Sequence, residues 1–79
     1  MKAIYQTPFG KFVKSNFKTL TNFKRLLHIS EPTARLYLTH PSRMRVKDLN
    51  AITELTGLSR DEVYKYITTT ERINDEHYD

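Results

Sequence analysis

The feature that most constrains this chain is the way its apolar periodicity is cut into short pieces. Apolar residues recur at three- and four-residue spacing along most of the sequence, the period of an amphipathic helix. Each periodic stretch soon meets a Pro, a Gly or a Ser/Thr step that starts or stops helices. The pattern predicts an all-α fold of about five short helices.

Phe9, Phe12, Val13 and Phe17 form a stripe at i, i+3, i+4 and i+8. Thr7 can cap and Pro8 suits a first helical turn, so a helix is expected near residues 8–18. Thr21 is read as the cap of a second helix, over about 22–28, that buries Phe23, Leu26 and Leu27. Ser30 is read as the cap of a third, over about 31–39, with Pro32 in its first turn, where a missing N–H is harmless. Residues 40–45, HPSRMR, read as a loop. Val46, Leu49, Ile52 and Leu55 repeat every third residue and mark a fourth helix, stopped by Gly57. Ser59-Arg60-Asp61-Glu62 is a capping box. It opens a fifth helix that buries Val63 and Ile67, with Tyr64 or Tyr66 alongside. The domain is taken to span residues 1–67. The polar stretch 68–79, TTTERINDEHYD, is expected to extend the last helix or to fray as an acidic tail. Only Ala3-Ile4-Tyr5 offers a short segment able to pair as a strand.

With 79 residues and no cysteine, the chain has room for one small domain and no disulfide to reinforce it. A core of that size contributes about 3–5 kcal/mol net. No stretch reaches the ~18 apolar residues that span a bilayer, and the first ten residues lack a signal-peptide apolar run. A soluble protein of a reducing cytoplasm, bacterial or in a phage-infected host, is the expectation.

The net charge of +4 is unevenly spread. Residues 1–50 hold ten Lys/Arg against Glu31 and Asp48, whereas residues 51–79 hold three Lys/Arg against seven acids. A basic body with an acidic end can attract a polyanion to one side.

The informative segment is 20–40, LTNFKRLLHISEPTARLYLTH: two short helices around a tight turn at His28-Ile29-Ser30. HISEPTARLYLTH resembles the turn and recognition helix of the Cro/repressor (Xre-like) helix-turn-helix family, with Ile29, Ser30, Ala34, Tyr37 and Leu38 in the matching places. VKDLNAITELTGLSRDEVYKYI resembles that family's fourth and fifth helices. The resemblance covers about residues 9–67. It departs from the family at His28, where Gly is usual, and at Lys24, where Ala is usual.

What the resemblance implies is a lambda-repressor-like domain of the phage type that binds duplex DNA as a transcriptional regulator. Its third helix would enter the major groove, which admits one α-helix. On a helical wheel Ala34, Tyr37 and Leu38 face inward, so Glu31, Pro32, Thr33, Arg35, Leu36 and Thr39 become the candidate base-contact residues. Arg35 suits guanine O6/N7, Glu31 a cytosine amine, Pro32 and Leu36 thymine methyls, and Thr33 or Thr39 a base edge or phosphate. Candidate phosphate contacts are Thr21, Asn22, Lys24, Ser30, Arg43, Arg45 and Lys47. Family members often dimerise, which here would use the fifth helix with Tyr64, Tyr66 or Ile73.

Pro32 and Leu36 also make the face partly apolar, so a protein-interaction module that reuses the fold is the alternative. An antitoxin, binding both DNA and a partner protein, is a third reading. The acidic end could instead compete with DNA for the basic face. His28, His40 and His77 match no metal-ligand spacing. Asp75, Glu76, His77 and Asp79 read as a solvated terminus. The Phe residues fall on buried stripes rather than on a base-stacking platform. Gly10 and Gly57 are the only glycines, so there is no phosphate loop, and no nucleophile elbow is present. Neither enzymatic activity, a cofactor, a metal nor a small-molecule ligand is expected.

Overall fold

The computed structural model describes residues 5–77, with side chains through Asp75. Among them there is no strand. Five α-helices follow in order: α1 (Pro8–Phe17), α2 (Leu20–Leu27), α3 (Glu31–Thr39), α4 (Val46–Thr56) and α5 (Arg60–His77). A 3-10 turn, Pro41–Arg43, sits within the expected loop between α3 and α4. The chain is thus all-α, as the periodicity requires. Ala3, Ile4, Tyr78 and Asp79 lie outside the described residues, as do the side chains of Glu76 and His77.

Local chemistry sets the helix ends. Thr7 Oγ1 accepts from the Gly10 N–H at 2.9 Å and donates to the Leu38 carbonyl at 2.7 Å, so the cap of α1 also anchors the end of α3. Between α1 and α2, Lys18 has φ 76°, and the Thr19 N–H reaches back to the Phe17 carbonyl. That is a γ-turn, one of the tightest reversals a chain can make.

The turn moves the start of α2. Thr19, not Thr21, is its cap, accepting from the Asn22 N–H. The helix therefore begins two residues before the expected 22 and ends at Leu27. Both threonines satisfy the capping preference. Only the reversal at Lys18, invisible to periodicity, decides between them.

At the other end of α2, His28 adopts the left-handed conformation, φ 58°. Its N–H donates to the Arg25 carbonyl and that of Ile29 to the Lys24 carbonyl, the paired closure of a Schellman motif. A non-Gly residue accepts this backbone at some cost. Ser30 then caps α3 through the Thr33 N–H. Three residues thus separate two helices packed on each other, a helix-turn-helix. Gly57, at φ 75°, ends α4. Ser59 and Glu62 exchange the two bonds of the capping box, each at 3.2 Å.

The core gathers Phe9, Phe12, Val13 and Phe17 with Phe23, Leu27, Ala34, Tyr37, Leu38, Leu49, Ile52, Val63 and Ile67. Phe17 and Phe23 meet edge to face, ring centroids 5.1 Å apart, a favourable quadrupole arrangement. Leu26, expected in the core, is exposed at 41%, and so are the two ends of the α4 stripe, Val46 at 66% and Leu55 at 47%. A strict three-residue repeat drifts around a helix of 3.6 residues per turn. Only the middle of the stripe, Leu49 and Ile52, faces the core. Leu26 follows the same rule on α2, where Phe23 and Leu27 take the inner face. Tyr66 lies against Phe12, ring centroids 4.8 Å apart, while Tyr64 stays half exposed.

Past Ile67, α5 continues as helix through residues 68–77. Thr70 is fully buried, and its Oγ1 accepts from the Phe9 N–H at 2.8 Å while donating to the Tyr66 carbonyl. The Phe9 N–H belongs to the first turn of α1, where a helix has no partner of its own to offer.

Candidate nucleic-acid interface

α3 is built to show one face. Ala34, Tyr37 and Leu38 are buried, while Glu31, Pro32, Arg35 and Leu36 are exposed and Thr33 and Thr39 half-buried. The inward side is fixed by a polar anchor as well as by packing. The Tyr37 hydroxyl donates to Asp48 Oδ2 at 2.6 Å, and both residues are buried. Burial, then the bond to Asp48, pushes the Tyr37 hydroxyl above its ordinary range, so it stays a protonated donor. This bond pins α3 to the first turn of α4.

On the outward side, hydrogen bonds stay within the motif. The Ser30 hydroxyl donates to Thr33 Oγ1 at 2.9 Å. The Thr39 hydroxyl bonds back to the Arg35 and Leu36 carbonyls. Glu31 takes two cations: Oε1 lies 3.3 Å from Lys24 Nζ and Oε2 lies 3.1 Å from Arg35 Nε. The Arg35 and Lys24 hydrogen bonds hold the Glu31 carboxyl below the usual carboxylate range. Lys24, where the family resemblance expects Ala, thus lays its head on the first residue of α3.

The candidate phosphate contacts divide into two groups. Arg43, Arg45 and Lys47 are exposed around the start of α4, and only Lys47 has an acid nearby among the described residues, Asp48 Oδ1 at 3.8 Å. The start of α2 is more committed. The Leu20 N–H donates to the Tyr5 hydroxyl at 2.9 Å, and the Asn22 and Phe23 N–H groups go to Thr19. The Asn22 side chain is also engaged, with Nδ2 on the Phe17 carbonyl and Oδ1 on Arg25. One of its two Nδ2 hydrogens is used and one is left to donate. The Thr21 N–H has none of these partners. Ser30 is held in the cap of α3.

Two sets of residues add to the individually named candidates. Arg25 is an exposed cation on α2, clipped to Asn22; its place in the basic run was the available signal. Glu71 and Asn74 hold the segment that follows α3. Asn74 Nδ2 donates to the Thr39 carbonyl at 2.9 Å, and Glu71 Oε2 accepts the Ser42 N–H at 3.0 Å. Burial alone would raise the Glu71 carboxyl. Bonds from Ser42 and Asn74, with His40 nearby, outweigh it and hold the group below its ordinary range. No local signal links residues 39–42 to 71–74.

Among the described residues, no three His, Cys, Asp or Glu side chains gather as metal ligands. None of the described helices is long and apolar enough to cross a membrane. Compared with known proteins, the chain matches no family model, no curated protein and no solved structure.

Proposed function

We propose that this chain is a duplex-DNA-binding transcriptional regulator of the Cro/repressor type, acting in the cytoplasm of a bacterial or phage-infected cell. One observation carries the reading. Residues 5–50 present exposed cations on α2, α3 and the start of α4, and their only exposed acid is Glu31, since Asp48 is buried. A surface rich in cations that includes an exposed helix face suits a polyanion with a groove wide enough for one helix.

In this reading α3 lies in the major groove. Arg35 reads guanine O6/N7, Pro32 and Leu36 touch thymine methyls, and Thr33 offers its hydroxyl. Arg43, Arg45 and Lys47 hold phosphates, joined by Arg25. The protein binds and does not catalyse. A homodimer reading paired half-sites would place one α3 per site.

A second reading has its own observation. Leu36 is 38% exposed beside Pro32 on the same outward face, which suits a protein partner. Salt separates the two. Fluorescence anisotropy with a mixed-sequence duplex at about 50 and about 200 mM salt should show binding that weakens by a decade or more, because phosphate contacts release counterions. Arg35→Ala should then remove about 1–3 kcal/mol of preference for a selected site. A folded protein that binds no duplex at low salt would move the assignment to a protein partner.

A further inference from the structure

Resting on the DNA-binding reading, we propose that Glu31 is a specificity-determining residue. Its carboxylate withholds Lys24 and Arg35 from phosphates while aiming the end of Arg35 at a base.

The geometry is a three-residue bridge. Glu31 opens α3 and sits on its outward face. One oxygen takes Lys24 of α2, the other takes Arg35 one turn along α3. All three side chains keep contact with solvent, at 30%, 47% and 54% exposure for Lys24, Glu31 and Arg35. A phosphate that approaches either cation meets a charge already answered, beside an anion that repels it. Non-specific binding, which rests on phosphate neutralisation, is therefore weakened at the start of α3.

A base edge meets a different surface. Glu31 bonds Arg35 through Nε, and among the described residues neither terminal nitrogen of the guanidinium fork has a partner. Those two nitrogens can donate side by side to guanine O6 and N7. The Glu31 carboxylate can itself accept from a cytosine amine, a donor that bases offer and phosphates do not. One side chain thus disfavours the common competitor and leaves the correct site intact, the logic of specificity by repulsion. The Arg35 and Lys24 hydrogen bonds favour the charged form of the Glu31 carboxyl.

A merely helix-stabilising role, as a first-turn acid and an (i, i+4) partner, would change the thermal melt and leave the salt dependence alone. The test is Glu31→Gln, titrated against a mixed-sequence duplex and a duplex selected from a random pool, across about 50–200 mM salt, with a melt of each protein. The variant should melt cooperatively and bind the mixed duplex several-fold tighter at low salt. Its log–log salt slope should steepen by about 1–2, at ~0.9 for each phosphate gained. The ratio of selected to mixed affinity should fall. In a Lys24→Ala background the steepening should shrink by about one. An unchanged slope and ratio, with the parent protein binding DNA, would overturn the role of Glu31 and leave the DNA reading standing. If neither protein binds duplex at low salt, the DNA reading falls, and this role falls with it.

Discussion

α3 and α5 both carry polar side chains along most of their length, yet they use them in opposite ways. Three on α5 reach other elements and satisfy their backbone: Thr70 the Phe9 N–H, Glu71 the Ser42 N–H and Asn74 the Thr39 carbonyl. Those on the outer face of α3 bond within the helix-turn-helix itself, as in the Ser30–Thr33 and Glu31–Arg35 pairs. A polar group engaged across the fold is part of the scaffold. A polar group engaged only with its neighbours in an exposed patch remains within reach of a ligand from solvent. On the DNA-binding proposal, the contrast separates a brace from a reading surface.

Removing the brace is the largest way to break this contrast. Deleting residues 68–79 takes away Thr70, Glu71 and Asn74 together and exposes the Phe9 N–H. The loss should rival the whole stability of so small a core, about 3–5 kcal/mol. Circular dichroism should show no cooperative melt. If the shortened chain melts like the full one and binds DNA more tightly, the segment is an acidic competitor and not a brace.

Tyr37→Phe comes next. It keeps the ring and removes the donor to a buried Asp48 oxygen, so urea unfolding should show a loss of about 1–3 kcal/mol. A variant as stable as the parent would mean that α3 is held by packing alone.

Glu71→Gln is the smallest. It weakens an acceptor that is partly exposed, so a loss of about 1 kcal/mol or less is expected. The sign of its pH dependence follows from the depressed folded value. The contribution of Glu71 is fully present above the unfolded carboxyl value of about 4.3. It fades as pH falls through the lower folded value. The gap between parent and variant should therefore be flat near neutrality and close in acid. A gap that widens in acid would contradict the assigned role.

Where a helix end depends on chemistry within one turn, the sequence was enough. Ser30 and Pro32 place the start of α3, and Gly57 with the Ser59–Glu62 box places the join between α4 and α5. The inward face of α3 was equally legible, because Ala34, Tyr37 and Leu38 share one side of a 3.6-residue helix. Its outward residues follow as the complement. Tertiary structure decided the rest. The reversal at Lys18 chose Thr19 over Thr21 as a cap. The bonds from α5 to the start of α1, the end of α3 and the 3-10 turn after it tie residues 61, 35 and 29 positions apart. Caps and helical faces are properties of a single turn, so residue order reveals them. A Thr at position 70 becomes a partner for position 9 only when the packing of five helices brings an unpaired N–H beside it.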